Sequence, residues 1–172
     1  MEIIQAKSDA FPGAAVFAWW LEMQPASEMA GQPNRRGELA ELKRCKTLED
    51  ILLVPRFQLL RRILQATGRG HLPSCAAMAG VLAHVKKNQE EHTFASWLGK
   101  TGERLGPRVS ELRFRRLIRI RSHDELFIDL VRVLHLAGDT APIVALAKDV
   151  YLWSDSTRQR WTFDYYDARG EN

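Results

Sequence analysis

Apolar residues recur along this chain at spacings of three and four, in runs that stop at glycine or proline, and strand-like alternation is nearly absent. That pattern predicts an all-α protein. A short apolar helix over 14–23 carries Trp19 and Trp20, and a Pro- and Gly-containing loop follows over 24–34. A polar helix then runs to about Lys46. Thr47 with Asp50 three residues on has the layout of a capping box, and Pro55 ends that turn or begins the next helix. Phe57, Leu60 and Leu64 share one face before Gly68 and Gly70, and Cys75, Met78, Leu82 and Val85 form the next stripe. Further helices are expected over 109–121, 126–136, 142–153 and 156–166, with a loose tail after Tyr166. The stretch 99–107 holds three glycines and a proline, which suits a hinge. The expected architecture is two small helical bundles, 1–98 and 108–172, joined by that hinge.

At 172 residues, with 45% hydrophobic content, the chain has enough apolar material for a core and is not of disordered composition. No apolar run approaches the ~20 residues that span a bilayer, and the first residues lack a secretion-signal layout. Cys45 and Cys75 have no metal or redox spacing and read as idle thiols of a cytoplasmic protein.

Charge is informative by its placement. From Arg108 to Arg121 there are six arginines and one acid, Glu111. At 100° per residue, Phe114, Leu117 and Ile118 fall on one side, and Arg115, Arg116 and Arg119 cluster on the other. Like charges four apart weaken an isolated helix, and an anion on that face would reverse the effect. Arg also meets phosphate oxygens two at a time, as Lys cannot. A second basic cluster spans 35–46, and a third, from Arg56 to Arg69, contains no acid. Such patches suit a sequence-independent hold on a phosphate backbone, although a solvated basic face has the same composition.

Catalytic constellations are missing from the sequence. His123-Asp124 resembles the pair of metal-dependent phosphohydrolases, but Ser122 and Glu125 frame it as a helix cap. His84 and His92 do not have the spacing of a metal pair and are expected at the surface. Asp124, Asp129, Asp139 and Asp149 are likewise expected in solvent. No phosphate-binding glycine loop or nucleophile elbow occurs. No cofactor, metal or catalytic residue is therefore assigned. The tryptophans sit in apolar stripes and read as core more readily than as base-stacking platforms.

Taken in order, several segments resemble the CasB family, the small subunit of the type I-E CRISPR surveillance complex called Cascade. They are Trp19-Trp20, Ala40-Glu-Leu-Lys-Arg44, Leu48-Glu-Asp, Pro55-Arg-Phe57 and Ser96-Trp-Leu-Gly-Lys100. Glu111-Leu-Arg113-Phe, Leu117-Ile-Arg119, Trp153, Arg158-Gln-Arg-Trp161 and Tyr165-Tyr166 complete the series. The resemblance implies an all-helical, non-enzymatic protein present in two copies per complex. Its implied partners are the other Cascade protein subunits, the crRNA, the target DNA and the displaced strand. By matched position it implies nucleic-acid contacts at Arg44, Arg113, Arg119 and Arg158, with Lys43 and Lys100 beside them. Arg115, Arg116 and Arg121 rest on the helix-face argument alone. Ser154-Asp-Ser156 departs from the basic residues that often follow Trp153 in this family. Two other readings remain: a free-standing, nonspecific DNA- or RNA-binding helical protein, and a metal-dependent phosphohydrolase using His123 and Asp124.

Overall fold

The computed structural model describes residues 10–25, 36–103 and 105–170. The greater part of the expected loop at 24–34 lies outside them. Ten helices and two two-residue strands are present among the described residues. In chain order these are α1 (Gly13–Leu21), α2 (Arg36–Arg44), α3 (Leu48–Leu52), α4 (Pro55–Ala66), α5 (Leu72–Ala83), β1 (Lys87–Asn88) and α6 (Phe94–Gly99). Then come α7 (Glu111–Arg119), α8 (His123–Leu136), β2 (Thr140–Ala141), α9 (Ile143–Tyr151) and α10 (Asp155–Gly170). The all-α expectation holds.

The middle of the fold is α5, which packs against α2, α3, α4, α8 and α9. Every residue from Ser74 to Ala83 is buried, so the helix has no polar face to turn outward. Its small residues let the neighbours approach closely. A Cβ at Gly80 would lie 2.5 Å from the Phe127 ring and 2.6 Å from Ile51. The stripe at Cys75, Met78 and Leu82 is buried as expected, but it is only part of a helix enclosed on all sides.

Local signals in the sequence behave as their chemistry requires. Thr47 Oγ1 accepts from the Asp50 N–H, and Asp50 accepts from the N–H groups of Thr47 and Lys46. Pro55 occupies the first turn of α4, where its missing N–H costs nothing. Gly68, with φ +76°, ends that helix in the left-handed region.

Parallel pairing of β1 with β2 was not legible as strand pattern, because two residues are too few to alternate. Asn88 Oδ1 accepts from the Ile143 N–H and so caps α9 from a distant strand. Between α6 and α7, Thr101 bridges Pro107 and the Gly102 N–H donates to Gly106 O. Helix α6 packs on α10, and side chains from both sides of 99–107 contribute to one buried cluster.

Three expectations need correction. The last helix does not stop near Tyr166: it continues to Gly170, with Ala168 buried and Arg169 paired 2.7 Å from Glu111. Asp149 is not in solvent. It accepts from the Trp161 indole N–H at 2.7 Å and pairs with Arg160 at 2.5 Å, and it is buried because those two donors replace its hydration. Asp129 and Asp139 are also largely enclosed by ion pairs. His84 and His92 are half-buried, His84 against the His135 ring and His92 against Trp97.

Candidate nucleic-acid interface

Helix α7 is amphipathic because Phe114 and Leu117 recur at helical spacing between arginines, and both are buried. Its two ends are pinned by aromatic side chains. Tyr165 Oη donates to Val109 O at 2.6 Å just before the helix, and the Trp153 indole N–H donates to Ile120 O at 2.9 Å just after it. The Phe114 ring stacks on Tyr165 between those anchors. The opposite face, with Arg113, Arg115, Arg116 and Arg119, is therefore exposed on a rigid support.

These arginines are not equivalent. Arg115 pairs with Glu111 at 2.6 Å and donates to Tyr166 Oη at 3.1 Å. Glu111 also takes Arg169 and the Tyr166 hydroxyl, and the hydrogen bond from Arg169, followed by that from Tyr166, holds its carboxyl below the usual range. Arg116 lies 3.3 Å from Asp129 of α8, which also takes Arg132 at 3.2 Å. Arg121 donates to the carbonyls of Ile118 and Ile120 and so closes the end of α7. Among the described residues, Arg113 and Arg119 have no carboxylate partner. Arg116, Arg119 and Arg132 together line a groove between α7 and α8 that also holds Glu125, Ile128 and Asp129. Arg116 keeps 74% of its side chain exposed in its pair with the largely enclosed Asp129, so its guanidinium stays accessible to an anion.

The other candidates lie elsewhere. Lys43 and Arg44 end α2, where cations suit the helix dipole. Lys43 is close enough to His84 to act on it. Burial first, then His135 and Lys43, with Lys46 adding to them against an opposing Asp139, hold the His84 imidazole down to about 4. Lys100 caps α6, and its carbonyl accepts from the Arg108 N–H. Arg158 is set apart from all of these. It is 6% exposed, donates to Trp153 O at 3.2 Å and pairs with Asp155, so its guanidinium is spent inside the fold. In the third cluster Arg56 is likewise internal, bonded to Trp19 O and to Glu22 at 2.6 Å, which removes the strongest element of that patch.

In the sequence, Arg108 is counted in the arginine run without being singled out, and neither Arg132 nor His135 is singled out. Arg132 sits on α8 and meets the basic face only because α8 packs beside α7, which no local pattern announces. All five tryptophans donate their indole N–H to an internal acceptor, and four of them are buried, in line with the core reading. The fifth, Trp97, is half-buried.

His123 begins α8 after Ser122, whose Oγ accepts from the Glu125 N–H at 3.3 Å. Its Nε2 is 3.0 Å from Val150 O and 3.1 Å from Ser74 Oγ, which in turn is 2.7 Å from His71 Nδ1. This pair of histidines ties α5, α8 and α9 together around a buried serine. No group of three or more His, Cys, Asp or Glu that could hold a metal occurs among the described residues.

Residues 38–166 match the family model for CRISPR-associated protein Cse2. The chain belongs to the Cse2 family. CasB and Cse2 are two names for the same subunit. In fold, the chain is similar to a chain of the crystal structure of E. coli Cascade bound to a PAM-containing double-stranded DNA target. The TM-score is 0.70 at 21% identity, over 95% of this Cse2 chain and 100% of that one. No curated protein matches. No helix among the described residues is long and apolar enough to cross a membrane.

Proposed function

We propose that this Cse2 chain is a non-catalytic subunit of a Cascade ribonucleoprotein. In this reading it stabilises the crRNA–target duplex and the displaced DNA strand through sequence-independent phosphate contacts, with two copies in each complex beside the other Cascade proteins. Family membership supports the assembly, and so does the likeness to a chain of E. coli Cascade bound to a double-stranded target.

The observation that carries the contact surface is α7. Its arginines stand on a helix pinned at Val109 O and Ile120 O, and Arg119 has no carboxylate partner among the described residues. R-loop formation exchanges one duplex for another of similar stability, so a few charge-assisted contacts decide its balance. Each is worth about 1.5–3 kcal/mol when well formed. Arg113, Arg115, Arg116, Arg119 and Arg121 supply the main surface, with Arg132 added across the groove, while Lys43, Arg44 and Lys100 add contacts elsewhere on the chain. Arg158 serves packing.

The test is charge reversal in the reconstituted complex, with subunit content verified by native mass spectrometry. Arg116→Glu combined with Arg119→Glu lowers target-DNA affinity at least about tenfold at moderate salt and flattens its salt dependence. The loss is similar for different target sequences, because phosphate contacts carry no base information. Unchanged affinity with an unchanged salt slope overturns the contact surface. Failure of the chain to enter the complex, or entry as a single copy, overturns the assembly.

A further inference from the structure

A second cationic site lies beside α7, where the hairpin after α6 faces the end of α8. Arg108 holds its guanidinium over the Trp97 ring, with Cζ 3.5 Å from the ring centroid. Trp97 is itself fixed, since its indole N–H donates to Ala137 O at 3.1 Å and the His92 ring stacks on it at 5.9 Å. Arg108 is placed by main-chain bonds on both sides. Its N–H donates to Lys100 O, and the Val109 N–H donates to Leu98 O. Gly102 leaves room for its stem: a Cβ there would lie 3.2 Å from Arg108 Cγ. Arg113 of α7, His135 of α8 and Glu103 line the same cleft.

The cleft is short of protein acceptors for its cations. Arg108 is half-buried, and among the described residues its guanidinium has one protein acceptor, Trp97 O at the limiting distance of 3.5 Å. Arg113 in the same cleft has no carboxylate partner there either, and Glu103 pairs with neither. A guanidinium held over an indole face keeps its in-plane N–H donors available to an acceptor in the cleft that Arg108 lines. Two unpaired guanidinium groups, one of them oriented, form a receptor for a doubly hydrogen-bonding anion, and phosphate oxygens match that geometry.

We propose that this cleft binds a backbone phosphate of single-stranded nucleic acid, with Arg108 as the fork and Arg113 as the second cation. The inference rests on the nucleic-acid reading above and adds to it a cleft that shares Arg113 with the α7 surface. A single strand is the better fit because the cleft lies between Gly102, Pro107 and Arg108 on one side and the end of α8 on the other. A flexible backbone can turn one phosphate into such a cleft more readily than the regular backbone of a duplex.

The probe is a short fluorescein-labelled oligodeoxythymidylate, titrated into the full chain by anisotropy over a range of salt. Arg108→Ala weakens binding at least about fivefold and lowers the salt slope by about 0.7, the value for one lost single-strand phosphate contact. Arg108→Lys keeps the charge and the fold but loses the planar stack, and it also weakens binding. Gly102→Ala presses on the Arg108 stem and weakens it less. Wild-type binding by Arg108→Ala and Arg108→Lys, with weakened binding by the Arg116→Glu/Arg119→Glu protein, overturns this cleft and leaves the α7 reading standing. Unchanged binding in all of these proteins overturns both. Normal oligonucleotide binding by Arg108→Ala with lost incorporation into the complex identifies the occupant as an acidic protein surface, and overturns the proposal.

Discussion

The ring of Phe114 lies parallel to that of Tyr165, with centroids 3.9 Å apart and planes 5° from each other. Both side chains are buried, and the contact joins α7 to the last helix of the chain. The basic face is thus carried on an aromatic stack made by residues fifty-one positions apart in sequence.

Removing that stack separates support from charge. Phe114→Ala deletes a buried ring and its stacking contact with Tyr165, at a cost of about 3–5 kcal/mol in stability. Phe114→Leu retains most of the volume and costs less. Denaturant titration reads both. Equal stability of wild-type and Phe114→Ala protein would show that α7 is not held by this contact.

Arg158, buried and bonded to Trp153 O and Asp155, tests whether an arginine with internal partners also contacts nucleic acid. Arg158→Ala removes the bonds to Trp153 O and Asp155 and the packing of its stem. The expected loss is about 1–3 kcal/mol in stability. DNA affinity of complexes that contain the variant at full occupancy stays within about twofold of wild type, as for any residue that contributes no phosphate contact. A large affinity loss at unchanged stability would return Arg158 to the interface.

His84 makes stability depend on pH. In the fold its pKa is about 4, against an ordinary value of 6.5, first because of burial and then because of His135 and Lys43. Between those values the unfolded chain binds more protons than the folded one, so stability rises with pH. The contribution is complete above about 6.5 and is lost as pH falls toward about 4. Burial also lowers the His123 pKa, and the sign is the same. Glu111 and Asp50, whose pKa values are depressed, add losses at lower pH. His84→Gln flattens the stability profile across the upper window, measured by chemical denaturation at several pH values. Parallel profiles for variant and wild type would exclude His84 as the source.

Helix existence, the Thr47–Asp50 capping box, the end at Gly68 and the inward side of α7 were legible in the sequence. These depend on neighbours within four residues, so periodicity and capping chemistry report them directly. The buried state of α5 was readable only in part. A run of alanine and glycine shows that neighbours can come close, but not that Phe127 and Ile51 are the ones that do. The arginine run likewise marked a basic face without ranking its members.

Tertiary structure decided which of those charges are free. Arg158 and Arg56 look the same in sequence as Arg119, yet Trp153 O, Asp155, Trp19 O and Glu22 absorb the first two. Asp149 looked solvated until Trp161 and Arg160 closed over it. Trp97 and Arg108 are eleven positions apart and meet only because the hairpin between them folds back. The physical reason is common to all of these. A charge's chemistry depends on what replaces its water, and those partners come from elements distant in the chain.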